Sequence, residues 1–197
     1  GYYSADTDRF LAAQPDFSQS APTLLYLGRI MAHKGIGDLL EAFLPLADRT
    51  SWRLQLVGKA DGSVPIPDHP KVIHQDFVQP EDLSALLAQA TAFVLPSREE
   101  PWGVALHEAA AAGLPLLVSD ACGAGDAFLT HGQNGWLFQA GQIPDLQAAL
   151  ERLFQMQPER LAAMGTHSRQ LAQTITPATW AQTLMDMIDA YRKEYAR

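Results

Sequence analysis

Two short runs carry residue types that could do chemistry together. In Gly28-Arg29-Ile30-Met31-Ala32-His33-Lys34-Gly35, two cations stand five residues apart between glycines. The run follows the apolar Leu24-Leu25-Tyr26-Leu27 and precedes a helical pattern. A loop in that position, next to a helix N-terminus, favours an anion through amides that no helical carbonyl accepts and through the macrodipole. Arg29 would fork onto phosphate oxygens, and Lys34 would act as a point charge. The alternative is a pair of solvated surface cations. The second run is Pro96-Ser97-Arg98-Glu99-Glu100-Pro101-Trp102-Gly103-Val104-Ala105-Leu106-His107-Glu108. Gly103, where the turn feeds a helix, lets backbone approach a ligand, and the Gly103 and Val104 amides are natural phosphate donors. Glu100 and Glu108 would accept hydrogen bonds from sugar hydroxyls.

The Glu100–Glu108 spacing says little by itself. The chain holds eight glutamates, and Glu151 and Glu159 repeat that spacing on what reads as a solvated helix. Context separates the pairs, because Glu100 and Glu108 flank a strand-turn-helix with glycine at the bend. Glu99 reads as a rim charge. The six histidines have no ligand-like spacing with cysteine or carboxylates, which argues against zinc. His107 reads as a helix-surface or internally satisfied histidine, and Cys122 as a small packing residue. Asp120 closes a strand and reads as structural, bonding to the next turn. No serine stands in a nucleophile elbow.

The elements that must position these residues alternate in type. Strands are expected at 24–27, 52–57, 72–74, 92–95, 116–118 and 136–138. Helices are expected at 36–47, 81–90, 103–112 and 124–131, with a proline-rich surface loop at 59–70. Near-continuous apolar strands between helices mean a parallel sheet covered on both faces, with ligands beyond the strands' carboxyl ends. The expected fold is therefore α/β: a Rossmann-like doubly wound sheet with a C-terminal helical segment. After Pro144 the pattern is helical, over 146–154, 158–174 and 177–195. Part of the stripe Trp180, Leu184, Met187, Ile188 and Tyr191 should pack on the sheet, and any excess would need another partner.

With 197 residues, 47% of them hydrophobic and 18% charged, one folded domain over 1–197 is expected. A formal net charge of −8 without a Lys/Arg cluster argues against a nucleic-acid surface or a polybasic membrane footing. A single Cys122 excludes an internal disulfide framework and points to a reducing compartment. No apolar run approaches the roughly 20 residues of a membrane span. The N-terminus lacks signal-peptide character and an initiator Met, and reads as a cut or processed edge.

The motifs occur in an order that is specific as a set. Gly28-Arg29…Lys34-Gly35, Pro96-Ser97…Glu100-Pro101-Trp102-Gly103…Glu108-Ala109, Ala112-Gly113-Leu114-Pro115, Val118-Ser119-Asp120 and Asn134-Gly135-Trp136-Leu137 follow one another. Together they resemble the C-terminal, donor-binding half of group 1 retaining glycosyltransferases with the GT-B fold, over about residues 5–157. Asp6-Thr7-Asp8-Arg9-Phe10 resembles the segment joining the two halves. The resemblance implies residues 1–22 as a linker remnant, 158–197 as C-terminal helices, and an absent N-terminal acceptor domain. It implies Gly28, Arg29 and Lys34 at the donor diphosphate, with the Gly103 and Val104 amides assisting beside Trp102. Glu100 would meet the donor sugar, Glu108 the ribose, and Phe77 and Val78 the base. Arg29, Lys34 and Glu100 would be the catalytic residues. It further implies a nucleotide-sugar substrate, no cofactor and no essential metal. The location would be cytoplasmic, with any membrane association supplied by the missing domain. Departures are Asp76 before Phe77, Lys59-Ala60-Asp61-Gly62 after Gly58, Asp126 where a glutamate is usual, and Trp102 for phenylalanine. The competing reading is a non-catalytic nucleotide- or partner-binding module. A nucleotide-sugar epimerase is disfavoured by the Arg/Lys loop.

Overall fold

A computed structural model describes residues 4–195. The Gly1-Tyr2-Tyr3 edge and the last two residues of the 158–197 segment lie outside the described residues. Six strands form one sheet: β1 Thr23–Leu27, β2 Arg53–Val57, β3 Val72–Gln75, β4 Ala92–Leu95, β5 Leu116–Ser119 and β6 Gly135–Phe138. Their order is β3-β2-β1-β4-β5-β6, and every neighbouring pair is parallel. The chain therefore winds outward from β1 in one direction and from β4 in the other, which puts the switch point between β1 and β4.

The expected doubly wound sheet is the observed one, and burial explains its composition. All residues of β4 and β5 are buried, as are Leu24, Leu25 and Tyr26 of β1. At the sheet edge, β3 exposes Ile73, His74 and Gln75, so it tolerates polar side chains. Between the strands run α2 Ile36–Ala47, α3 Leu83–Gln89, α4 Val104–Ala112 and α5 Gly125–Phe128. α6 Ile143–Phe154 packs on α2, while α7 Pro158–Ala172 packs on α4. Right-handed crossovers place these two groups on opposite faces. α4 buries Ala109, Ala110, Ala111 and Ala112, whose small side chains let it lie close to its neighbours. Gly165 serves the same end, since a Cβ there would stand 2.1 Å from the Gly113 carbonyl oxygen.

Several boundaries differ from expectation. The 81–90 helix opens with a 3-10 turn at Pro80–Asp82. The 124–131 helix is cut to the single turn α5, because Asn134 takes over the backbone there. Its Oδ1 accepts from the Thr130 amide at 2.7 Å, and its Nδ2 donates to the Phe128 carbonyl at 2.9 Å. A short helix, α1 Thr7–Leu11, lies inside the expected linker and packs on α4. The last helix, α8 Pro177–Tyr195, corrects the expectation that its stripe meets the sheet. Trp180, Leu184, Met187 and Ile188 are all exposed, at 37–65%. In the C-terminal segment it is α7 that packs inward, burying Leu161, Met164 and Ala172.

Candidate functional site

The two chemistry-bearing runs leave neighbouring strands at the switch point. The first follows β1 and is tied to the β2 loop: the Gly28 amide donates to Val57 O and the Ile30 amide to Lys59 O, both at 3.0 Å. A 3-10 turn at Ala32–Lys34 then ends in Gly35, which has φ 70° and leads into α2. Glycine is required there by space as well as by φ, since a Cβ would lie 1.9 Å from Pro96 O. The two loops touch at that point. They are also joined by the Arg98 amide, which donates to His33 O at 2.9 Å. The Arg98 guanidinium grips Asp38 of α2 at 2.8 and 2.6 Å.

The second loop carries Glu100 into contact with the first. Lys34 Nζ donates to Glu100 Oε2 at 2.7 Å, with side-chain exposures of 17% and 16%. Gly103, at φ 96°, turns the chain into α4 and packs against Leu95 and Cys122. In the first turn of α4 the Leu106 amide donates to Gly103 O at 3.0 Å, while the Val104 and Ala105 amides precede the first helical acceptor. The loop after β5 supports this turn from below: the Gly123 amide donates to Glu100 O at 3.1 Å and the Ala124 amide to Trp102 O at 2.8 Å. The Cys122 thiol points at the same Trp102 carbonyl, at 3.1 Å. Cys122 is thus the buried packing residue expected. Burial pushes its pKa up to about 11.

A cleft of about 330 Å³ opens beside these loops, and Gly28, Arg29, Lys59, Phe77, Val78 and Glu108 line it. Its walls are mostly apolar, with Leu27, Val57 and Leu83 beneath. Arg29 and Phe77 are exposed at its rim. Glu108, on α4, is largely enclosed, and burial raises its pKa to about 7, with Arg9 of α1 pulling the other way. The structure therefore brings Arg29, Phe77, Val78 and Glu108 to one cleft. The Lys34–Glu100 pair stands at the neighbouring loop contact. Glu100 also lines a second, acidic crevice with Asp120 and Asp126. Val104 is exposed at the start of α4. The Trp102 side chain is turned inward: it is buried and meets Phe128 edge-on at 6.0 Å.

Three features went unread in the sequence. Lys34 and Glu100 pair directly, Arg98 and Asp38 clasp the two loops, and Lys59 adds a second cation to the cleft. His107 is the internally satisfied residue of its two alternatives. It accepts from the Ala5 amide at Nδ1 (3.0 Å), donates from Nε2 to Ala172 O (2.9 Å) and stacks on Phe128. Burial lowers its pKa, which keeps this neutral tautomer. Asp120 accepts from the Ala140 amide at 2.8 Å, the structural role expected of it. Among the described residues no group of three or more His, Cys, Asp or Glu side chains could hold a metal ion. Among them, too, no helix is long and apolar enough to cross a membrane.

A parallel doubly wound sheet with cationic and carboxylate loops over its switch point defines a Rossmann-like domain of the GT-B type. The family model described as "Glycosyl transferases group 1" matches residues 21–156. The chain belongs to that family. It is 36% identical over 139 residues to the glycogen synthase of Mycobacterium tuberculosis, covering 64% of this chain and 32% of that protein. The structure of Anabaena HepE in complex with UDP superposes with a TM-score of 0.79 at 20% identity, over 96% of this chain and 56% of that one. The C-terminal domain of a group 1 family protein, LpcC of Francisella tularensis, superposes with a TM-score of 0.71 at 17% identity, over 87% of this chain and 97% of that domain. The chain thus spans about a third of the length of its curated relative.

Proposed function

We propose that this chain is the donor-binding domain of a retaining glycosyltransferase, which moves a sugar from a nucleoside diphosphate to an acceptor held by another domain. The observation that carries the reading is the meeting of Arg29 and Glu108 in one cleft, with Lys34 2.7 Å from Glu100 at its side. In this reading the base lies against Phe77 and Val78, and Glu108 accepts from the ribose hydroxyls. The diphosphate then passes over the Gly28 backbone to reach Arg29, Lys34 and the amides of Gly103 and Val104, and the sugar extends toward Glu100. Trp102 contributes through the shape of its turn. When the anomeric C–O bond breaks, its electron pair goes to the leaving phosphate oxygen. Arg29 and Lys34 counter that growing charge more strongly than the charge of the ground state, which is the part of binding that accelerates reaction. No step calls on a metal or a cofactor.

Calorimetry of this chain with UDP, GDP and ADP, each with and without a hexose, tests the proposal. Binding of one of them in the micromolar to millimolar range, lost in Arg29→Ala, is expected. The competing reading, a partner-binding module that has lost donor recognition, requires that none of them bind. Because the acceptor residues belong to the other domain, this chain should transfer nothing alone; turnover by it would contradict the assignment.

A further inference from the structure

Tyr26 is the polar member of an otherwise apolar strand end, Leu24-Leu25-Tyr26-Leu27, and it is fully buried in β1 between β2 and β4. A phenylalanine would fill that space without bringing a hydroxyl that has to find a partner out of water. The hydroxyl has one: Tyr26 Oη donates to the Arg29 carbonyl oxygen at 2.8 Å. The side chain thus reaches three residues ahead along its own chain and props the donor loop from beneath. Gly28 closes over it, and a Cβ on Gly28 would stand 2.9 Å from Tyr26 Oη. Burial first, then the nearby Glu100 carboxylate, pushes the Tyr26 pKa up, so the group stays a neutral donor.

Resting on the donor-binding reading above, we infer that Tyr26 is a positioning residue whose hydroxyl fixes the Arg29 backbone and so aims the Arg29 guanidinium across the cleft at the donor diphosphate. The neighbouring amides at Gly28 and Ile30 are held by the β2 loop. The Tyr26 bond acts on the residue between them. An arginine on an exposed loop has several rotatable bonds, and its hold on an anion depends on where the loop sets its Cα.

The test is a double-mutant cycle with Tyr26→Phe and Arg29→Ala, read by calorimetry with whichever of UDP, GDP and ADP binds most tightly. Tyr26→Phe keeps the ring and should lower the melting temperature by no more than about 4 °C. It should weaken binding by about 3- to 10-fold in the wild-type background, the scale of one hydrogen bond. In the Arg29→Ala background it should weaken binding less than 2-fold, because there is no guanidinium left to aim. Equal losses in both backgrounds would mean that Tyr26 acts through general structure and would overturn the inference. So would an unchanged affinity in Tyr26→Phe alongside a loss in Arg29→Ala, which leaves the donor-binding reading intact. Failure of the wild-type chain to bind any of the three would instead remove both. Gly28→Ala attacks the same contact from the loop side, and should show the same dependence on Arg29 should Tyr26→Phe not fold.

Discussion

Replacing Glu100 by glutamine should tighten binding of a nucleoside diphosphate that carries no sugar. Glu100 holds Lys34 at 2.7 Å, with both side chains about five-sixths covered. A phosphate oxygen reaching the far side of that ammonium would lie roughly 5.5 Å from the carboxylate. Two unit charges of like sign at that separation repel by about 3 kcal/mol at an effective dielectric constant near 20. Glutamine removes the repulsion and keeps the shape. Part of the gain is returned, because Lys34 loses the partner that orients it, so a net tightening of about 10-fold, near 1.4 kcal/mol, is expected. Calorimetry at about 0.15 M salt, where partly covered charges are only partly screened, is the assay. The sugar-bearing donor should behave differently, since the variant keeps the repulsion relief but loses a carboxylate acceptor for the sugar hydroxyls. The preference for donor over free diphosphate should therefore shrink. Weaker or unchanged binding of the free diphosphate in Glu100→Gln would refute the reasoning and leave Glu100 as a scaffold for Lys34.

Arg29→Ala and Lys34→Ala should each weaken diphosphate binding by about 1.5–3 kcal/mol, the range of hydrogen bonds to charged groups, measured by the same titrations. Glu108, raised from an ordinary 4.5 to about 7 by burial, keeps a proton in the folded state that the unfolded chain has lost between those values. Stability should therefore fall as pH rises from 5 to 8, and urea unfolding should show part of that slope vanish in Glu108→Gln. The ionised carboxylate is also the better acceptor, so nucleotide affinity should gain more from pH 6 to 8 in the wild type than in Glu108→Gln. Gly35→Ala would drive a Cβ to 1.9 Å from Pro96 O at φ 70°, and a loss of more than about 2 kcal/mol of stability is expected in thermal or urea melts.

The strands were legible because fully covered segments such as Ala92-Phe93-Val94-Leu95 must be apolar throughout, and the glycines at 28, 35 and 103 marked the bends. What could not be read were matters settled between distant segments. α1 is five residues long, too short to show a period, and it owes its helix to contact with α4. The end of α5 depends on Asn134, six residues past its last turn, turning its amide back onto the backbone. The α8 stripe was visible as a period, but a period does not say which surface meets it. Both loops were identifiable as crevice loops, whereas the 2.7 Å contact of Lys34 with Glu100 exists only because β1 and β4 are adjacent, which no local pattern announces.

His107 ties residue 5 and residue 172 to one imidazole, so the lead-in to the domain and the run-out toward α8 depart from a common knot. The ring can serve both only while it carries a single proton; a second proton would leave the Ala5 amide facing another donor. The lead-in and the run-out therefore meet on α4 itself, one residue before Glu108.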